Sequence, residues 1–515
     1  MVRKHGISII VAKTEKYLLG LDAGNTVIKA VLFDLTGRQI SQSVLDGQSS
    51  SPFPGHVERN MDELWANAQK VIQSCISEAG ISPDQIVAVG SAGHGNGLYL
   101  LDKDGAALLG IQSLDTRAAS LAEDLKAECG DKLQSLCLQA PWPSQTPTLL
   151  AWIKRHKPDL YAQVGTVFLC KDFITFNLTG ERVSDISDMS GCGLTKMPEC
   201  TYDDDLMALY GLSDARSFLP RLIDPTGLAG VVTDKAAAAT GLLPGTPVIA
   251  GYFDVVSSAL GSGVGRSGEA SIIVGTWSIN QVFSEQPVQD DNVFMVAGVG
   301  PNRFVNIESS ATSAANLEWY VREFVERGQH HDDPFGFCND RIGEITPRID
   351  DPIFHPYLYG ARLGSEFRAG YYGIAGWHGE GHLLRALFEG VMFEHKRHIE
   401  VLKKAGVNFN QAVLSGGGSR SPHWPQMFAD CLGVPIIVSD AQETGALGAA
   451  IGAGVGTGLF ATYEDGIAAM TRAKQEFLPR PDMKAHYDTR YQIYLALVDA
   501  MRGAWSAIDK LEIET

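Results

Sequence analysis

Two stretches of this chain, about half its length apart, follow one plan, and that repetition restricts the fold more than any other feature. In residues 18–34 two apolar runs flank Asp22-Ala23-Gly24-Asn25-Thr26. Gly24 and Asn25 tolerate positive φ, so the pattern predicts a β-hairpin with a tight turn. Residues 270–283 repeat the sequence of apolar strand, Gly275-Thr276 turn and strand, which points to an internal duplication. The first turn gathers a carboxylate, a hydroxyl and exposed backbone N–H groups at one point, a set that suits phosphate oxygens and the magnesium that accompanies them. An ordinary hairpin with a polar tip has the same local sequence. Two such turns facing each other across a cleft would clamp the phosphates of a nucleotide.

A chain of 515 residues, 45% hydrophobic and 20% charged, exceeds one core and predicts two large lobes. Its formal charge of −18 argues against a nucleic-acid partner, because phosphate backbones need a basic face. A small polyanion such as ATP remains compatible, since backbone N–H groups can hold it. The eight cysteines are scattered without a CxxC pair, so neither a disulfide framework nor a zinc site is expected, and a cytoplasmic location fits. Residues 1–16 read as an N-terminal extension without a signal peptide, and no apolar run has membrane-spanning length. The histidines lack metal-ligand spacing, and His395 and His398 read as a solvated helical face.

Along the chain, Asn60 predicts the cap of a helix with Leu64, Ala68, Val71, Ile72 and Cys75 on its apolar face, ended by Gly80. A short strand then delivers the Gly-rich loop 91–97, in which His94 and Asn96 project donors and acceptors. Asp115 and Arg117, two apart, suit either a polyol or each other. Lys171 and Asp172 stand where a strand ends, as a site rim or a helix start. Asp254 falls in the first turn of an otherwise small and apolar helix, the place of a cap or of a general base. The stretch 261–268 reads as a joint between lobes, residues 306–312 with Glu308 follow a strand and are expected to face the cleft, and 329–347 reads as a loop. A long helix is expected over 381–404. Three glycines, 416–418, end a strand, with Ser421-Pro422 expected to open the next helix. The small-residue helix 443–453 suits close approach to a neighbouring element or to a nucleotide.

Taken in order, Asp22-Ala23-Gly24-Asn25-Thr26, Gly251-Tyr252-Phe253-Asp254, Gly275-Thr276-Trp277, Gly370-Tyr371-Tyr372-Gly373 with the helix over 382–389, the stretch 415–419 and Glu443-Thr444-Gly445-Ala446 resemble the FGGY carbohydrate kinases of the actin-like ATPase superfamily. The resemblance implies an α/β protein of two ribonuclease H-like lobes, each a mixed five-stranded sheet flanked by helices, with a cleft between them. The implied division is 17–263 for the sugar-binding lobe with the catalytic base and 264–515 for the nucleotide-binding lobe. It implies ATP and Mg2+ as cofactors, with Asp22 on the metal, Gly24, Asn25, Thr26, Gly275 and Thr276 on phosphate, and Gly417, Gly418 and Arg420 at the adenosine. Asp254 matches the base, and His94, Asn96, Asp115 and Arg117 match sugar-binding positions, with Lys171, Asp172 and Glu308 as weaker matches. Within the family the chain looks most like kinases of L-xylulose or 3-keto-L-gulonate, with kinases of erythritol and other polyols close behind. A catalytically silent sugar sensor of the same fold is the alternative. The partner implied is a small sugar or polyol, with no nucleic acid or membrane, and a homodimer is the assembly allowed for.

Overall fold

The computed structural model describes residues 15–327, 330–364 and 366–513; most of the N-terminal extension read above lies outside them. Two seven-stranded sheets organise the chain, two strands larger than the five expected of each, and both contain the same run of five. The first holds β1 (Tyr17–Ala23), β2 (Val27–Asp34), β3 (Gln39–Asp46), β4 (Ile86–Gly93) and β5 (Pro247–Ile249). The second holds β6 (Ala270–Val274), β7 (Ser278–Ser284), β8 (Arg303–Ser310), β9 (Ala412–Ser415) and β10 (Ile436–Ser439).

The paths run β3-β2-β1-β4-β5 and β8-β7-β6-β9-β10, and the strand directions match pair for pair. β1–β2 and β2–β3 are antiparallel while β1–β4 and β4–β5 are parallel. β6–β7 and β7–β8 are antiparallel while β6–β9 and β9–β10 are parallel. The duplication read from two hairpins thus extends through the whole topology. Two further strands complete each sheet: Leu228–Val231 and Tyr252–Phe253 in the first, Met295–Gly300 and Ala473–Phe477 in the second. Each hairpin has the expected register, with Ala23 opposite Ile28 and Val274 opposite Ser278.

A smaller five-stranded sheet takes two short strands from before β4, Ser49–Ser50 and Glu58–Arg59, and three from after it, and the Gly-rich loop leads from β4 into its strand Leu98–Asp102. The helix Met61–Ala79 covers the first sheet for the reasons its sequence gives. Asn60 accepts from the Glu63 N–H at 3.0 Å, Gly80 closes it with φ 64°, and its buried side includes the five apolar residues expected. Fully burying each such aliphatic side chain contributes roughly 1.5–3 kcal/mol.

Two helices join the halves: α1 (Asp254–Ser262), which follows the first sheet, and α2 (Thr444–Gly456), which follows β10. Although α2 belongs to the second half of the sequence, it packs on β1, β4 and α1. Glycines permit this. A Cβ on Gly20 of β1 would lie 2.0 Å from the Ala446 carbonyl oxygen, and one on Gly90 of β4 2.1 Å from that of Ala449. A Cβ on Gly448 would meet the Ser257 carbonyl oxygen of α1 at 1.9 Å. Close approach to neighbouring backbone therefore accounts for the small residues of α2.

Three local expectations change. His395 and His398 are fully buried in the helix Glu380–Lys404, bonded to Asn280, Ser310 and Ser313 beneath the second sheet, because this helix is covered on more than one side. Residues Pro334–Gly343 form a helix capped by Asp333 inside the stretch expected to be a loop; Gln329 lies outside the described residues. The helix after the glycines begins at Trp424 with Pro425 in its first turn, and the Ser421 hydroxyl accepts from the N–H groups of His423 and Trp424.

Candidate active site

In open sheets of this kind, ligands bind where parallel strands deliver their carboxyl ends. In the first sheet β1, β4 and the strand Tyr252–Phe253 end side by side, with Ala23 opposite Gly93 and Gly93 opposite Phe253. Immediately beyond them come Gly24–Thr26, His94–Asn96 and Asp254. In the second sheet β6 and β9 end together, and beyond them come Gly275-Thr276 and the three glycines.

Asp254 opens α1, and its setting is fixed from behind. The Phe253 N–H donates to the Ser187 hydroxyl at 3.1 Å. The Phe253 ring fills space left by two glycines, lying 2.5 Å from where a Gly95 Cβ would stand and 3.0 Å from that of Gly191. Burial pushes the Asp254 carboxyl up to about 8, and the neighbouring Asp22 charge adds to the effect. Asp22, at the end of β1, is itself raised to about 6 by burial, with Lys29 opposing and Glu443 reinforcing the shift. Two half-buried acids therefore stand close enough to resist each other's ionisation. The second half of the chain reaches the same point. A Cβ on Gly445 of α2 would lie 2.4 Å from an Asp22 carboxylate oxygen, Lys29 pairs with Glu443 at 2.8 Å, and the Gln281 amide of β7 donates to the Val255 carbonyl at 2.9 Å.

The turns have room for phosphate. Thr26 and Thr276 are exposed, and a Cβ on Gly417 would meet nothing within 4 Å. The glycine run divides its work, however. Gly416 adopts φ 81°, and Gly418 makes space for Val274 and Trp424, at 2.4 and 2.9 Å from its missing Cβ, so it packs rather than exposing backbone. Arg420 is exposed at the end of the loop. No group of three or more potential metal-binding side chains exists among the described residues. A single carboxylate at Asp22 fits magnesium, which is commonly held by one or two carboxylates together with substrate phosphates.

His94 and Asn96 are buried just beyond the end of β4 with polar atoms unsatisfied. His94 Nε2 meets the Tyr99 hydroxyl at 2.9 Å, its Nδ1 has no partner, and burial, with the Arg59 charge, pushes its pKa down to about 3, so the ring is neutral. Asn96 adopts φ 62° and its Oδ1 has no partner. Buried polar groups of this kind call for a ligand or water. Sequence reasoning missed three more. Trp142 Nε1 and Gln281 Oε1 lack partners, and Asp188, whose pKa burial raises against the opposing charge of Lys171, accepts no hydrogen bond although the Lys171 ammonium lies 3.4 Å away. Nothing local in the sequence marks them, because three separate segments bring them in.

Other expected sugar ligands are spent within the protein. Asp115 accepts from the Val57 N–H at 2.6 Å and from the Arg117 N–H and guanidinium at 2.8–3.0 Å, and Arg117 also reaches Glu58 at 2.8 Å. Both side chains are fully buried, and the pair locks the loop to the segment before Asn60, although Arg117 Nη1 is left without a partner. Lys171 and Asp172 form an internal cluster with Asp185 and Asp188, at 2.5, 2.6 and 3.4 Å from the ammonium. Burial opposes the Lys171 charge, but the three carboxylates outweigh it and hold its pKa high. Asp172 also accepts from the Leu169 N–H and the Ser184 hydroxyl, capping the helix it begins. Glu308 accepts from the Phe294 N–H and from Arg362, both at 2.6 Å. Strand alternation turns it away from Asp254, because Glu308 pairs with Asn280 while Gln281, the residue that reaches Val255, pairs with Ile307 on the other face.

The chain matches known proteins over most of its length. Residues 17–261 match the N-terminal domain of the FGGY family of carbohydrate kinases, and residues 270–457 match its C-terminal domain. The L-xylulose/3-keto-L-gulonate kinase of Escherichia coli (strain K12) is 34% identical over 95% of this chain and 98% of that protein. A probable L-xylulose kinase of Pasteurella multocida is 35% identical over 95% of this chain and 99% of its own length. Among solved structures, the xylulose kinase from Rhodospirillum rubrum superposes with a TM-score of 0.86 at 27% identity, covering 95% of this chain and all of that one. No helix among the described residues is long and apolar enough to cross a membrane.

Proposed function

The chain belongs to the FGGY family of carbohydrate kinases, and from that premise we propose that it transfers the γ-phosphoryl group of ATP to a hydroxyl of a ketose of the L-xylulose or 3-keto-L-gulonate type. The observation that carries the proposal is Asp254: a carboxyl at a strand-to-helix junction, next to Phe253 whose N–H is anchored on Ser187, raised to about 8 by burial and by the nearby Asp22 at the end of β1. A base whose pKa lies near the working pH is well suited to accept a hydroxyl proton as the oxygen attacks. Asp22 would hold the magnesium, which would offset the charge of the phosphates. ATP bound with that cation supplies the phosphoryl group, whose loose transition state is stabilised chiefly by positioning and by charge.

The chain's own groups do the rest. Neutral His94 and Asn96 orient sugar hydroxyls through atoms that have no other partner. The N–H groups of Gly24 and Gly275 close their turns on the Val27 and Trp277 carbonyls, so those of Asn25, Thr26 and Thr276 receive phosphate oxygens, and Gly417 leaves a path for the nucleoside. The lobes divide near residue 263, where α1 ends, and their closure over the substrate keeps water from the phosphate.

An ADP-release screen over pentuloses, hexuloses, 3-keto-hexonates and polyols tests the assignment. Turnover with L-xylulose or 3-keto-L-gulonate at least tenfold above erythritol and other polyols is expected. A preference for a polyol would shift the substrate class, and sugar binding without ADP release from any member would make the protein a sensor.

A further inference from the structure

Arg59 is 3% exposed, and no carboxylate among the described residues pairs with it. Its Nη1 donates to the Gly24 carbonyl at 2.9 Å, while Nε and Nη2 are buried without a partner. Arginine keeps its charge in proteins, and an uncompensated buried charge is strongly destabilising. Such a group persists where an anion is to be received. The site is also shaped for it: a Cβ on Gly47 would fall 2.0 Å from Nη2, so that position leaves room for the guanidinium.

The same turn is held at two neighbouring points. The Gln112 amide donates to the Asn25 carbonyl at 2.6 Å, and the Gly47 N–H donates to the Thr26 carbonyl at 2.7 Å. Three successive carbonyls, 24 to 26, are thus tied back to the body of the first lobe. In a planar trans peptide the N–H points opposite to the carbonyl. The N–H groups of Asn25 and Thr26 therefore point away from the lobe, and among the described residues they donate to no other group.

We propose that Arg59 is a positioning residue for the nucleotide phosphates: its guanidinium fixes the Gly24 peptide so that the turn presents its N–H groups, and its unpaired charge favours an anion on the far side of that peptide. The inference rests on the assignment of the first turn to phosphate. It concerns a residue behind the turn, one peptide removed from the ligand.

Isothermal titration with adenosine and with a non-hydrolysable ATP analogue plus magnesium separates the two claims, since adenosine lacks the phosphates. The wild-type protein should bind the analogue more tightly than adenosine. If it does not, the phosphate assignment itself fails. Given that preference, Arg59→Gln, which can still donate to Gly24, should weaken the analogue about tenfold to a hundredfold, the range for losing a charge-assisted contact, and leave adenosine unchanged. Arg59→Lys should recover part of the loss. Gly47→Ala, which displaces the guanidinium without removing it, should reproduce the Arg59→Gln pattern. Equal weakening of both ligands, unchanged analogue binding in Arg59→Gln, or Arg59→Lys no tighter than Arg59→Gln would each overturn the proposal.

Discussion

Replacing Asp254 by Asn should stabilise the ligand-free protein while abolishing most of its activity, and the stability gain should grow with pH. The folded-state pKa of Asp254, about 8, lies above the ordinary 3.8. Between those values the folded protein retains a proton that the unfolded chain releases, so stability falls as pH rises. This contribution is fully present below about pH 4 and is lost progressively up to about pH 8. At 1.36 kcal/mol per unit, the three units between 4 and 7 set a ceiling near 4 kcal/mol, and allowing for relaxation of the site leaves on the order of 2–4 kcal/mol. Asn imitates the protonated acid and removes the dependence. The variant should therefore unfold at nearly the same temperature as the parent at pH 4 and roughly 2–4 °C higher at pH 7. Differential scanning fluorimetry across pH 4–8, without nucleotide or magnesium, gives the comparison directly. Asp22 and Asp188 titrate in both proteins, so their contributions largely cancel in the difference. In the same variant kcat should fall by roughly 100-fold or more. A melting difference that stays constant across this range, or one that favours the parent at pH 7, would show that Asp254 is not the strained acid described.

Three further outcomes follow from the site. Asn96→Ala should raise the KM for sugar about tenfold with little change in melting temperature, since it removes an atom that has no partner within the protein. Asp115→Asn should do the reverse, lowering stability by about 3–5 kcal/mol by leaving Arg117 short of its main partner while KM changes little in the folded fraction, as unfolding titrations beside steady-state kinetics will show. Lys171→Met leaves three buried carboxylates without their cation, and limited proteolysis should find the first lobe opened at pH 7; a protected lobe would mean that the cluster is not held by that ammonium.

The two hairpins were legible because apolar alternation and Gly-Asn or Gly-Thr turns are local signals, and the order of the motifs carried the rest of the architecture. Asp254 was legible for the same reason, as an acid alone in a small apolar first turn. Charged pairs were not. Asp115 with Arg117, and Lys171 with Asp172, have the same spacing whether they face a sugar or each other, and the choice depends on Glu58, Asp185 and Asp188, brought in by the fold. Glu308 failed by one step of strand alternation, since only the register against Asn280 shows which face it occupies. Gly417 and Gly418 are indistinguishable in sequence, yet one is open and the other is filled by Val274 and Trp424. His395 and His398 lie on a helix whose surroundings come from β7 and β8, so helical spacing alone could not locate them.

The glycine seam between α2 and the first sheet bears on how such a chain can be divided. A fragment ending near residue 263 would lose the cover over Gly20 and Gly90, leaving a groove of bare main chain along the centre of its sheet. The complementary fragment would carry an apolar helix with nothing to rest on. Although the architecture repeats, neither repeat is a self-sufficient folding unit, and separately expressed halves should regain solubility only when produced together.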